Sequence, residues 1–175
     1  MCAICHFKLD FGVSHPLALS VAVAARRAIE SHLIEPVDAA AGALSAARMR
    51  ISAVEALNLL QARIEGAHNE EALLAIPDFY VLLIENDTWG FFHATTGGFD
   101  PDIVPAIPDV VTTDEAKRSN IVVASEASLR AWLDGRLDIG YALRESLFAV
   151  DAPRAFSASL TQMLVAAGSS TVGAH

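Results

Sequence analysis

Cysteine is almost missing from this chain of 175 residues: only Cys2 and Cys5 occur. That excludes a small fold stapled by several disulfides. Charged residues make up 19%, and the sign is lopsided, with 12 basic against 21 acidic residues and a net charge of −9. A chain so short of cations does not fit a nucleic-acid binder, which must neutralise phosphates. Aromatic residues account for only 7%. Long apolar runs are absent too. The longest, Pro16 to Ala25, stops at Arg26 and Arg27, well short of the ~20 residues that cross a bilayer. No integral membrane protein is therefore expected. No basic start followed by an apolar core opens the sequence, so a cytoplasmic location is expected, with reduced thiols. Walker A, G-x-G-x-x-G, G-x-S-x-G, H-E-x-x-H and EF-hand patterns are all missing, and no cofactor is called for.

What is present is small and apolar. Hydrophobic residues reach 53%, and 32 of all residues are alanine. Disorder as the global state is excluded, because apolar residues are plentiful and charge is low. That content implies a packed core, a subunit interface or an apolar cavity. The length suits one domain. We expect a single domain over residues 1–167 and a tail over 168–175. Residues 1–75 carry 8 acidic and 6 basic side chains, residues 76–175 carry 13 and 6. The first part is Ala-rich with few turn residues, the second rich in Gly, Pro, β-branched and aromatic clusters.

Periodicity predicts the elements. Cys5, Phe7, Leu9 and Phe11 alternate with His6, Lys8 and Asp10, a strand pattern ended by Gly12. Ser14 and Pro16 predict a helix start, running to about Leu33. Its first part is apolar nearly all round, which predicts deep burial. From Val37 to about Ile64 a second helix is expected. Leu44, Ala47, Ile51, Val54, Leu57, Leu60 and Ile64 form its apolar stripe, with Leu44, Ile51, Val54 and Leu57 expected on one buried face, Arg48 and Glu55 outside it, and Gly66 as its stop signal. A short helix, Glu70 to Ala75, precedes Pro77. Phe79 to Ile84 reads as a buried strand, and Trp89 to Ala94 as its partner across an Asn86–Thr88 turn. Thr95 to Gly98 reads as a loop, and prolines 101, 105 and 108 keep the next stretch out of a central strand. Asn120 to Ala124 is a strand. Ser125 caps a helix through Asp134 with Gly135 beyond it, and Asp138 caps another to about Glu145. Ser146 to Val150 is a strand, and Asp151 caps a last helix with a stripe of Phe156, Leu160, Met163, Leu164 and Ala167. The expected fold is α+β: N-terminal helices packed on a small, mainly antiparallel sheet, with helices at the C-terminal end.

Two clusters could carry chemistry. Cys2-Ala-Ile-Cys5-His6 is a C-x-x-C-H pattern. It admits covalent haem, a redox pair or part of a zinc site. The strand pattern that follows argues against haem and against a redox pair, which wants a helix N-terminus, and zinc would need a further His. Trp89, Phe91 and His93 form the aromatic cluster. With Trp132 they are the candidate ligand-binding residues: Phe91 and Trp132 as walls of an apolar pocket, His93 as its polar group.

The run Ile121-Val122-Val123-Ala124-Ser125-Glu126, then Leu129 and Trp132-Leu133-Asp134-Gly135-Arg136-Leu137-Asp138, resembles the end of a sterol carrier protein type 2 domain. Ala142, Leu147 to Val150 and the helix around Phe156 to Leu164 continue the resemblance, over residues 120–167. Ser146 and Asp151 stand where that family usually shows glycine. The resemblance implies binding of lipids or other apolar molecules in a tunnel between sheet and helices. The leading expectation is thus a non-enzymatic protein binding a small apolar ligand, or an accessory protein. One alternative is a homodimeric interaction module joined through Ala-rich helices. The other is a thiol- or metal-dependent enzyme built on Cys2, Cys5 and His6.

Overall fold

The computed structural model describes residues 14–37, 42 and 44–169. The expected strand over Cys5–Phe11, and with it Cys2, Cys5 and His6, lies outside those residues. The described chain is an α+β fold. Its elements are α1 (Ala18–Glu30), α2 (Ser45–Ala67), α3 (Glu70–Leu74), β1 (Phe79–Leu83), β2 (Thr88–Phe92), β3 (Ala94–Thr95), β4 (Gly98–Phe99), β5 (Ile121–Ala124), α4 (Glu126–Leu133), α5 (Ile139–Arg144), β6 (Phe148–Asp151) and α6 (Arg154–Ser169).

Four strands form the main sheet in the order β2-β1-β5-β6. β1 pairs antiparallel with β2, and β5 antiparallel with β6. The central pair, β1 with β5, is parallel, Tyr80 facing Ile121 and Leu83 facing Ala124. Alternation along the strands splits the apolar side chains between two faces. Phe79, Val81, Leu83, Phe92, Val122, Ala124 and Phe148 join the main core with α2, α4 and α6. Tyr80, Leu82, Trp89, Ile121 and Val123 form a second cluster, on which Val21 of α1 packs. The Pro-rich stretch covers part of that second face, the Tyr80 hydroxyl donating to the Ala106 carbonyl at 2.7 Å. No described helix is long and apolar enough to cross a membrane.

Several sequence expectations need correction. α1 starts at Ala18 and has no capping side chain at Leu17. Ser14 does not cap it. Instead the His15 ring accepts the Leu17 N–H on Nδ1 at 3.0 Å, replacing the missing cap from a position one residue later. α1 ends at Glu30, before Leu33, because His32 adopts φ +59 and turns the chain. The expected deep burial of α1 is not found: Val21, Ala25 and Ala28 are buried, while Leu19 is 75% exposed.

α2 starts at Ser45, not near Val37, since Gly42 has φ +122 and no helix runs through that conformation. It passes Gly66 and stops at Ala67. Its buried residues are Ala53, Val54, Ala56, Leu57, Leu60 and Ile64. Val54, Leu57, Leu60 and Ile64 are as expected, and Arg48 and Glu55 are exposed. Leu44 and Ile51 are not buried, at 68% and 48% exposure. The first two turns of α2 extend past the core, and alanines on the later turns do the close packing.

Thr95 to Gly98 is a miniature hairpin of β3 and β4, not a bare loop. Asp151 ends β6 and binds His15 and Arg118; it does not cap α6. Phe156 is exposed, whereas Leu160, Met163, Leu164 and Ala167 are buried. The helix reaches Ser169, so the expected tail boundary at 168 falls inside it.

Candidate functional site

A crevice opens where the parallel pair β1 and β5 ends. Parallel strands deliver their carboxyl ends to the same side, and the chain leaving β5 turns there into α4. Ser125 makes that turn stable: its Oγ accepts the Ser128 N–H at 3.0 Å, an N-cap bond. Ile84 continues the ladder one residue beyond β1, its N–H donating to the Ala124 carbonyl at 3.1 Å. The next residue, Glu85, therefore emerges beside the first turn of α4. Its carboxylate accepts the N–H of Glu126 at 2.8 Å and that of Ala127 at 3.3 Å. Both amides lack helical partners, and the helix dipole favours an anion at that end.

α1 forms the opposite wall. Ala22, Ala25 and Ile29 face Ile84 and Ser125 across a crevice of about 450 Å³. Small side chains on α1 leave the space open; leucines there would fill it. Arg26 and Glu30 stand at the rim, bonded to each other at 2.9 Å, one helical turn apart. The walls are thus aliphatic, with one carboxylate converging on them. The volume lies within the ~300–1,000 Å³ of small-molecule sites.

Glu85 is an exposed residue. Packed atoms on its other sides nevertheless hold its carboxyl above the ordinary carboxylate range. Loss of hydration is the main cause, and the nearby Glu126 charge adds to it. Backbone N–H groups oppose the shift without cancelling it.

Other openings differ in character. A groove of about 730 Å³ lies between α1 and α5, with Leu19, Val23, Leu33 and Tyr141 on its walls. Another, about 750 Å³, holds Arg48, Arg130 and Arg136. Arg136 is paired with Asp134 at 2.9 Å and Arg130 with the buried Glu126 at 2.8 Å, so two of those cations already have anions. A fourth, about 550 Å³, is bordered by His15, Arg118 and Asp151. His15 accepts from Leu17 on Nδ1, so Nε2 carries the proton that it donates to Asp151 at 2.9 Å. Both ring nitrogens are engaged, which leaves no free base there. Burial pushes this imidazole below its ordinary range despite the attraction of Asp151.

The expected ligand residues do not meet. Trp89 is fully buried in the cluster with Tyr80, and Phe91 packs beside it, ring centroids of Tyr80 and Phe91 being 4.9 Å apart. His93 follows β2 and bonds Asp78 at 2.8 Å near the surface. Trp132 belongs to the opposite core, edge-on to Phe148 at 5.7 Å. The sheet stands between Trp132 and the other aromatics, because successive side chains of a strand point to opposite faces. Among the described residues no group of three or more His, Asp or Glu could hold a metal ion.

Sequence reasoning passed over Glu85, Arg26 and Glu30. A carboxylate placed directly after an apolar strand was the available signal for Glu85. Its partner strand, β5, is remote in sequence, so the shared end of the parallel pair was not visible. No family model matches the chain, and no curated protein or solved structure matches it either.

Proposed function

We propose that this protein is a non-enzymatic binder of a small apolar ligand, held in the crevice between α1 and the ends of β1 and β5. The observation that carries the reading is the crevice itself: Ala22, Ala25, Ile29 and Ile84 around the single converging carboxylate of Glu85. Apolar pockets with few polar groups are the usual form of small-molecule sites. The resemblance of residues 120–167 to sterol carrier protein type 2 domains supports an apolar ligand independently of the crevice. Ala22 is exposed and lines the opening, so Ala22→Phe fills the space without disturbing the core. Calorimetric titration with short-chain alkyl compounds should show saturable binding to the natural chain and about tenfold or weaker binding to Ala22→Phe. Equal binding to both proteins would count against the crevice.

A second reading, the homodimer, is favoured by the outer side of α1. Leu19, Val23 and Leu33 are exposed there, beside Tyr141 of α5. An apolar patch of this kind is a common mark of association. Analytical ultracentrifugation tests it: a dimer that Leu19→Asp dissociates supports this reading, and a monomer at all concentrations refutes it.

A further inference from the structure

Resting on the proposed crevice, we infer that its ligand is a cationic amphiphile: a protonated amine that donates to Glu85, carried on an alkyl or arylalkyl body lying between Ala22, Ala25, Ile29 and Ile84. The charges around the crevice lead to this choice. Arg26 and Glu30 on α1 neutralise each other across the rim. On α4, Glu126 is matched by Arg130 and also accepts the Ser52 hydroxyl. Glu85 pairs with no cation among the described residues, although two backbone amides of α4 hold its carboxylate in place. The crevice therefore carries one unmatched negative charge at the end of an aliphatic slot.

The other head groups fit less well. A carboxylate would be repelled by the unmatched charge of Glu85, while the paired Arg26 and Glu30 offer it no net attraction. An alcohol would donate a single O–H to the carboxylate and bring no positive charge to offset it. An ammonium supplies three donors, and an ionised carboxylate offers about four acceptor positions. The amides of α4 leave acceptor capacity unused. An ammonium held there also supplies the cation that Glu85 lacks among the described residues. The carboxyl of Glu85 sits above the ordinary carboxylate range, so an ammonium partner favours its ionised form. Acidification through that raised range must then weaken binding of the amine more than that of an alcohol.

The experiment compares octylammonium, octanol and octanoate, each titrated calorimetrically into the full chain. Octylammonium should bind up to about fivefold more tightly than octanol, the scale of an ion pair at an exposed carboxylate, with octanoate weakest. Glu85→Gln should bring octylammonium and octanol to similar affinity. Equal binding of all three, or a preference for octanoate, overturns the inference and leaves the apolar crevice standing. Binding of none overturns both. An amine preference that survives in Glu85→Gln overturns it as well, since general attraction to a chain of net charge −9 then explains the result. Circular dichroism checks that Glu85→Gln folds. If it does not, the pH series on the natural chain decides: amine affinity that does not fall on acidification, relative to octanol, overturns the inference.

Discussion

Replacing His15 with Ala removes a side chain that ties the start of α1 to the end of β6. The ring is buried, with its Nε2–H on Asp151 at 2.9 Å and its Nδ1 accepting from Leu17 at 3.0 Å. A hydrogen bond to a charged group contributes about 1.5–3 kcal/mol. Asp151 keeps a second partner, Arg118, so it is not left bare. The freed Leu17 N–H, near solvent, adds about 0.5–1 kcal/mol. The expected loss for His15→Ala is about 2–4 kcal/mol. The pH dependence is a sharper test. In the unfolded chain His15 titrates near its ordinary value of 6.5; in the folded chain burial lowers that value. Between the two the unfolded state binds more protons, so stability rises with pH and is complete above the unfolded value. It is lost as pH falls below 6.5, by at most ~1.4 kcal/mol per unit, until the folded ring protonates. A protonated ring has no acceptor for the Leu17 N–H. Urea unfolding from about pH 8 to about pH 5 reads this out. His15→Gln keeps a donor for Asp151 and cannot titrate, so the difference between the two proteins isolates His15 from the other histidines. That difference should shrink on acidification. A difference that grows as pH falls would mean that the protonated His15–Asp151 pair stabilises the fold, and the reasoning would be wrong.

On α2, Leu57→Ala should cost about 2–5 kcal/mol, because Leu57 is fully buried, whereas Ile51→Ala should cost about 1 kcal/mol or less. Chemical denaturation of both variants checks the contrast, and similar losses would show that the first turns of α2 are covered. Gly98 has φ +113, and a Cβ there would stand 2.6 Å from Oε1 of Glu65, the acceptor for the Phe99 N–H. Gly98→Ala should therefore destabilise by about 1–3 kcal/mol, seen as a lower Tm, and an unchanged Tm refutes the tight approach. Arg130→Gln leaves Glu126 buried without its cation, at a cost of about 3–5 kcal/mol. The double variant with Glu126→Gln should be more stable than Arg130→Gln alone; additive losses would show that the two are uncoupled.

Local chemistry explains which parts of the fold were legible. β1, β2 and β5 are short apolar runs between turn residues, and Ser125 and Asp138 cap α4 and α5 through bonds made within three residues. Such features need nothing distant. The stripe on α2 was legible from Val54 to Ile64, where the helix packs into the core. It failed at Leu44 and Ile51, because periodicity reports a shared face and not how far along the helix that face is covered. α1 misled for a related reason: apolar composition all round was taken for burial, yet one side alone packs on the sheet. The aromatic cluster was read as a pocket, but Trp89 and Trp132 lie in separate cores, a division fixed by strand pairing. The crevice was illegible because it is assembled from α1, the end of β1 and the start of α4, and no local pattern reports their meeting.

The one parallel pairing among the described residues has a kinetic consequence. β1 and β2 close on each other through a short turn, and β5, α4, α5 and β6 are successive elements of one stretch. Each half of the sheet can thus be nucleated by neighbouring residues. The halves meet only where Tyr80 pairs with Ile121 and Leu83 with Ala124, across the whole Pro-rich stretch. Closing that loop costs chain entropy before its contacts repay it. Forming the β1–β5 seam is therefore expected to slow folding, and the crevice at the end of that seam requires it to be formed.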